Sequence, residues 1–446
     1  MYDFDEMIRR NGLSTMKWEA EIQRTGYEDL LCFGTADMDF SSPEPVLQAV
    51  RQIADAGHLG YPYPPEAYYD SIRCWLERIG GWRVDVRKAS SVNVGIYTAV
   101  WCVLDALTRP GDEVIIQTPV HFCFRQMLLD NDRVPVCNPL VLRDGRYEMN
   151  FEALERCFTE NTRLFWLCNP HNPVGRAWTR EELGRLGEIC ERHDVMILSD
   201  DVYCGLVYPG YRYTPMASLS KELSRRTITC YSPSKIYNTT GIKFSFVIAE
   251  NPEILERYNR SLRKLDLTYG MNLFGIQTAI AAFDRCDGWV EALMEYIAGN
   301  HRYAEMTVRG RMPLAHITEA DSTYFAWIDM KCLGFEEGEA EAYFEREAHI
   351  LISPGEELGP GGEGFIRLNL ACRRAVLSDM GDILSPNQAP PTMAPAVIAG
   401  FMPNPRPTPD MAIPMVPMVP QEVPMIMLIT QQRMKVVTKN SPGVIT

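Results

Sequence analysis

The run Tyr231-Ser232-Pro233-Ser234-Lys235-Ile236-Tyr237-Asn238 sets a lysine among hydroxyl side chains, between an apolar segment, Thr227 to Tyr231, and a turn containing Gly241. A lysine so placed suits Schiff-base chemistry with an aldehyde cofactor. That chemistry needs an uncharged amine, and partial burial beside a cationic or hydrogen-bonded group lowers a lysine pKa enough to supply one. Most lysines are solvated surface residues. The Ser-x-Ser-Lys pattern therefore acquires weight only from three segments upstream.

The first is Asn169-Pro170-His171-Asn172-Pro173-Val174-Gly175-Arg176, directly after the apolar run Leu164 to Cys168. Each proline fixes its own φ and restricts the residue before it, so the pair of Asn-Pro steps predicts a rigid turn that displays Asn172 at a strand's C-terminal end. The second is Val195-Met196-Ile197-Leu198-Ser199-Asp200-Asp201-Val202-Tyr203, a buried strand running into paired carboxylates and a tyrosine. A carboxylate there can keep a pyridine nitrogen protonated and so make the ring an electron sink. In the third, Asn93-Val94-Gly95-Ile96-Tyr97-Thr98, the glycine opens a helix predicted over Thr98 to Leu107, whose free N–H groups and dipole favour a phosphate.

Taken in this order the segments resemble the aminotransferase class I/II superfamily, the fold-type-I pyridoxal 5'-phosphate (PLP) enzymes. The resemblance runs from the first residues to about residue 384. Further stretches resemble its MalY/PatB-type branch, the cystathionine beta-lyase-like carbon–sulfur lyases: Phe4-Asp5-Glu6 with Lys17-Trp18, Ala36-Asp37-Met38-Asp39-Phe40, Gly60-Tyr61-Pro62-Tyr63-Pro64-Pro65, Asn138-Pro139-Leu140 and Gly364-Phe365-Ile366-Arg367-Leu368-Asn369.

The resemblance implies roles for these residues. Lys235 would bind the cofactor covalently and then act as the base at the substrate's Cα. The Asp-x-x-Tyr spacing selects Asp200, with Tyr203, over Asp201 as the partner of the pyridine nitrogen. Asn172 and Tyr203 would bond the phenolic oxygen, and the Gly95 and Ile96 amides, Ser232, Ser234 and Lys243 the phosphate. Tyr61 would reach that phosphate from a second subunit, which implies a homodimer, and Arg367 would clamp the substrate carboxylate in a planar bidentate pair. His121 would stack on the ring where relatives usually carry tyrosine. Lys243 replaces the more usual arginine and keeps the charge without the fork. Phe33-Gly34-Thr35 departs from the branch's apolar-Trp-Val lead into Ala36-Asp37.

The activity implied is β-elimination from cystathionine or another cysteine S-conjugate, giving a thiol, pyruvate and ammonia. An aminotransferase would use the same Lys235. A regulatory protein acting through protein contacts is the alternative from another class, and the intact set of Lys235, Asp200 and Arg367 argues against a purely non-catalytic role.

Composition narrows the partners. Of 446 residues, 46% are hydrophobic and 23% charged, as in ordinary globular chains, and the formal net charge is -14. An acidic chain lacks the basic face that nucleic acid or an anionic membrane requires, so a small-molecule amino-acid substrate is expected. The 13 cysteines are odd in number and form no Cys-x-x-Cys pair, which suits free thiols in a reducing cytoplasm rather than disulfides or a metal site. The acidic start, Met1 to Glu6, predicts no signal peptide, and the absence of an eighteen-residue apolar run predicts no membrane span.

Between residues 45 and 285 short apolar runs alternate with helical periodicity, which predicts an α/β fold with a mainly parallel sheet sandwiched by helices. By resemblance this is the large PLP-binding domain, with residues 1–44 and 286–385 forming a smaller α+β domain. Beyond 385 the composition changes. Thirteen of the 31 prolines lie between Pro386 and Pro442 without helical or strand periodicity, so residues 386–446 read as a disordered Pro/Met-rich tail.

Overall fold

The computed structural model describes residues 2–8, 12–267, 272–335 and 337–383, and the segment 386–446 lies outside them. The apolar runs become seven strands: β1 Ser90–Asn93, β2 Glu113–Ile116, β3 Val134–Cys137, β4 Thr162–Cys168, β5 Met196–Asp200, β6 Thr227–Tyr231 and β7 Ser245–Ile248. They form one sheet in the order β1-β7-β6-β5-β4-β2-β3. Only β7 runs antiparallel to its neighbours. The C-terminal ends of β1, β2, β4, β5 and β6 therefore share one edge, where ligands collect in such sheets.

Alternation along each strand divides the side chains between two helical layers. Val114, Trp166 and Leu198 face a cluster shared with Val103, Ile254 and Tyr258. Ile115, Phe165 and Ile197 face Leu183, Leu186 and Cys190 of the helix Arg180–Arg192 on the other side. That helix begins with a reciprocal cap: Thr179 Oγ1 accepts from the Glu182 amide, and Glu182 accepts from the Thr179 amide. Burial on both faces is why these strands read as continuous apolar runs.

The helix after β1 spans Ile96–Leu107, starting two residues before the predicted Thr98. Gly95 explains the difference. Its φ of +119° is open to glycine and strained for other residues, so the chain turns sharply there and Ile96 already lies in the helix.

A second, antiparallel sheet contains β8 His316–Ile317, β9 Phe325–Asp329, β10 Ser353–Pro354 and β11 Phe365–Asn369, in the order β8-β9-β11-β10. Arg367 on β11 stands opposite Trp327 and Ser353. The N-terminal stretch is pinned to the rest by Leu31–Cys32 pairing in parallel with Ile350–Leu351, and is braced within itself by a buried ion pair of Lys17 with Asp39 at 3.0 Å. The described part of the chain ends in the helix Arg374–Ile383.

Candidate active site

Strand ends converge on a cavity of about 400 Å³ at the shared edge of the large sheet. Gly95 and Ile96 after β1, His121 after β2, Asn172 after β4, Asp200 and Tyr203 at the end of β5, and Ser232, Ser234, Lys235 and Lys243 around β6 and β7 all line it. Ten residues proposed from the sequence thus meet in one place, although they are spread over about 150 positions.

Lys235 is fixed by its own turn. The Tyr237 amide donates to Pro233 O at 2.9 Å and the Thr239 amide to Ser234 O at 2.9 Å. Its Nζ donates to the Ala36 carbonyl at 2.8 Å. Burial lowers its pKa to about 8, the cations of Arg367 and Lys243 pull the same way, and Asp37 opposes them. Asn238 holds the acceptor segment in place: its Nδ2 donates to Phe40 O at 2.7 Å and to Met38 O at 3.2 Å.

The two adjacent carboxylates have different fates. Asp200 lines the cavity, its Oδ1 is buried without a hydrogen-bond partner, and burial raises its pKa to about 7. Asp201 is fully buried and points away. It accepts from the hydroxyls of Ser199 and Tyr213, and its pKa is raised to about 8, again by burial.

Asn172 is buried, and its Oδ1 accepts from Arg367 Nη1 at 3.1 Å. Arg367 does not line the cavity itself. Its Nη2 donates to Gly34 O at 2.9 Å and Ser353 Oγ at 2.8 Å, its plane covers the Phe325 ring at 4.4 Å, and its Nε has no partner. The Phe33-Gly34-Thr35 departure thus places a backbone carbonyl on the guanidinium.

Around the phosphate-type donors, Ser232 Oγ lies 2.7 Å from both the Phe244 carbonyl oxygen and Ser234 Oγ, and accepts from the Ser234 amide at 3.1 Å. Lys243 lies in the left-handed region, φ 55°, and is exposed at the rim. His121 is held neutral: burial drives its pKa down to about 3, reinforced by Arg367 and Lys235. Tyr61 stands apart from the cavity and is 92% exposed, beside the exposed Leu59 and Tyr63.

Several lining residues escaped the sequence reading. Tyr97 OH and Cys123 Sγ meet at 2.6 Å on the cavity wall, and Thr240 Oγ1 donates to Asp37 Oδ1 at 2.6 Å. Tyr97 follows Ile96 directly and Cys123 follows His121 by two positions, so proximity to the motifs was the available signal. Their pairing across 26 positions was not readable. Phe124 stacks on Trp166 with centroids 4.0 Å apart at the apolar end.

This geometry has counterparts among known proteins. The family model for aminotransferase class I and II matches residues 28–379. The cystathionine beta-lyase PatB of Bacillus subtilis is 35% identical over 378 residues, covering 84% of this chain and 97% of that protein. Cystalysin from Treponema denticola, solved with pyridoxal 5'-phosphate, superposes with a TM-score of 0.81 at 30% identity, over 85% of this chain and 96% of that one. The PLP-bound C-S lyase from Staphylococcus hominis gives 0.79 at 29% identity, over 85% and 96%. Matched over most of its length in sequence and in three dimensions, this chain belongs to the aminotransferase class I and II family and has the fold of the fold-type-I PLP-dependent transferases.

Proposed function

We propose that the protein is a PLP-dependent carbon–sulfur β-lyase that converts cystathionine or related cysteine S-conjugates to a thiol, pyruvate and ammonia. The 35% identity to the cystathionine beta-lyase PatB over 97% of that protein carries the reading, and the presence in one cavity of Lys235, an amine with a lowered pKa, and of the unpartnered Oδ1 of Asp200 supports its cofactor dependence. The residues present fit the cofactor. A buried carboxylate oxygen without a donor is costly unless a donor arrives, and a pyridinium N–H would meet that need and return Asp200 to its charged form. The helix start at Gly95 and Ile96, the Ser232 and Ser234 hydroxyls and the Lys243 cation make a set suited to a dianionic phosphate.

When bound, the cofactor supplies an electrophilic aldehyde and a ring that accepts the electron pair left at the substrate's Cα. Everything else belongs to the chain. Lys235 Nζ, neutral in part near pH 7, takes the Cα proton. Asp200 would accept from the ring nitrogen and hold its proton there, the charge that favours withdrawal of electrons from Cα. Asn172 and Tyr203 would hold the cofactor's phenolic oxygen, and the neutral imidazole of His121 would stack on its ring without adding charge. Arg367, oriented by Asn172, Gly34 O and Ser353, presents its unpartnered Nε for the substrate carboxylate. The sulfur leaves from Cβ as a thiolate.

The exposed Leu59, Tyr61 and Tyr63 support a homodimer in which Tyr61 completes the phosphate site of the partner subunit. The odd number of cysteines and the lack of any Cys-x-x-Cys pair support a reducing cytoplasm. Among the described residues no helix is long and apolar enough to cross a membrane. The large sheet lies within 90–248 and the smaller within 316–369, which supports a large domain over 45–285 and a small one from 1–44 with 286–385. Incubation of the PLP-loaded enzyme with cystathionine and other S-conjugates should release pyruvate and thiol in equal amounts. Rapid amine transfer between an amino acid and a keto acid, without pyruvate from any conjugate, would make it an aminotransferase instead.

A further inference from the structure

We infer that Tyr324 is a positioning residue for the general base: its hydroxyl shares the Ala36 carbonyl with Lys235 Nζ, and so sets where the free amine is held and which way its lone pair turns. The inference rests on Lys235 as the base at Cα, and not on which product follows. Lys235 Nζ donates to Ala36 O at 2.8 Å, and Tyr324 OH donates to the same oxygen at 3.0 Å. Among the described residues the amine has no other hydrogen-bond partner.

The shared oxygen sits in a clamped segment. Asn238, three residues beyond Lys235, holds the carbonyls of Met38 and Phe40. Asn369, two residues beyond Arg367, donates from Nδ2 to Thr35 O and Asp37 O, both at 2.7 Å, and Lys17 Nζ adds a bond to Asp37 O at 2.9 Å. The Ala36 peptide therefore lies between neighbours fixed on both sides. Tyr324 is aimed at it from a strained residue: Thr323 adopts φ +67°, a left-handed conformation that costs a β-branched side chain, and its amide is held by Leu206 O at 2.7 Å. Such conformations persist only where the surrounding structure insists on one arrangement. The Tyr324 ring is fully buried and meets Tyr203 edge-on, centroids 5.7 Å apart. A buried tyrosine hydroxyl needs an acceptor, but nothing in that need requires the oxygen that the lysine uses.

A neutral amine has two N–H bonds and one lone pair, so fixing one N–H on Ala36 O confines the lone pair to a cone. A carbonyl that already accepts from a hydroxyl accepts a second donor more weakly, and the loss is greatest for an ammonium, the stronger donor. Tyr324 thus steadies the oxygen and disfavours the protonated form of Lys235. Of the other groups around the amine, Asp37 and Cys123 favour the ammonium, Arg367 and Lys243 oppose it, and Asp200 and the neutral His121 line the same cavity. Tyr324→Phe leaves all six in place.

That substitution removes the hydroxyl and keeps the ring. Exchange of the α-proton of L-alanine with D2O, followed by NMR on the PLP-loaded enzyme, reports on the base in a lyase and in an aminotransferase alike. In Tyr324→Phe it should slow by ~10-fold or more at saturating alanine, the scale of a displaced catalytic group, with half-saturation little changed. In the PLP-free protein, the pH midpoint for covalent capture of added PLP by Lys235 should rise by ~0.5 unit, a shift that a merely structural tyrosine would not give. In place of Tyr324, 3-fluorotyrosine has nearly the same shape and is a stronger donor. It should move the midpoint downward, and it carries the test alone if Tyr324→Phe does not fold. Unchanged exchange in Tyr324→Phe overturns the inference, as does slower exchange with an unmoved midpoint, or a midpoint that 3-fluorotyrosine does not lower. If borohydride labels a lysine other than Lys235 in the unaltered protein, the reading of the base has failed and the inference falls with it.

Discussion

Nη1 of Arg367 donates a 3.1 Å hydrogen bond to Oδ1 of Asn172, joining β11 of the smaller sheet to the loop that leaves β4 of the larger one. One bond therefore ties the group proposed to hold the substrate carboxylate to a group proposed to hold the cofactor. The guanidinium is buried and spends its other bonds on Gly34 O and Ser353 Oγ, so its plane is fixed before substrate arrives.

Arg367→Ala should therefore raise KM for every α-amino acid substrate by roughly 100-fold or more, the scale of truncating one member of a buried charge pair. Arg367→Lys should recover little, because an ammonium cannot reach Asn172, Gly34 and Ser353 while also forking a carboxylate. Steady-state kinetics on both variants checks this. An Arg367→Lys enzyme with normal KM would remove Arg367 from substrate binding.

The amine of Lys235 titrates near pH 8 rather than near its ordinary 10.5, because burial disfavours the ammonium. Formation of the reducible covalent link with added PLP should accelerate as pH rises through about 8 and then level off. Followed by absorbance, a midpoint near 10.5 would show that the amine is solvated. The linked stability effect has a definite sign: the unfolded chain holds this proton more tightly, so the group's contribution to stability rises with pH between about 8 and 10.5. Borohydride trapping and peptide mapping should find the label on Lys235 and lose it in Lys235→Ala.

Asp200→Ala and Asp201→Ala should fail in opposite ways. Asp200 has an unpartnered oxygen on the cavity, so its loss should cut turnover by ~100-fold or more while thermal stability holds or rises. Asp201 serves the hydroxyls of Ser199 and Tyr213, and its loss should cost stability of about 1–3 kcal/mol with milder damage to turnover. Melting curves beside activity assays separate the two, and the reverse pattern would mean that Asp201 faces the ring.

Lys17→Met takes the ammonium at 3.0 Å away from the buried Asp39, and breaking one side of such a pair costs about 3–5 kcal/mol. Trp18 Nε1 still donates to Asp39 Oδ1 at 3.1 Å, which tempers the loss. Denaturant unfolding should show the destabilisation, and the paired change Lys17→Met with Asp39→Leu should restore much of it.

Features that depend on local pattern were legible in the chain. Continuous apolar runs at β4, β5 and β6 announced a sheet covered on both faces, and the placement of Asn172, Asp200 and Lys235 just beyond those runs put them on one edge, because parallel strands end together. The capping box at Thr179 and Glu182 was likewise written in four consecutive residues. What only the tertiary structure decided were relationships between segments remote in the chain. The preference for Asp200 over Asp201 came from resemblance, and the difference between their surroundings appears only in the folded chain, where the hydroxyls of Ser199 and Tyr213 donate to Asp201. The Ala36 carbonyl as the partner of Lys235, the Asn172 bond that aims Arg367, and the Tyr97–Cys123 contact join residues 199, 195 and 26 positions apart. Such contacts depend on which strand lies beside which and on how side chains fill the space between them, and a one-dimensional period of hydrophobicity carries no record of either.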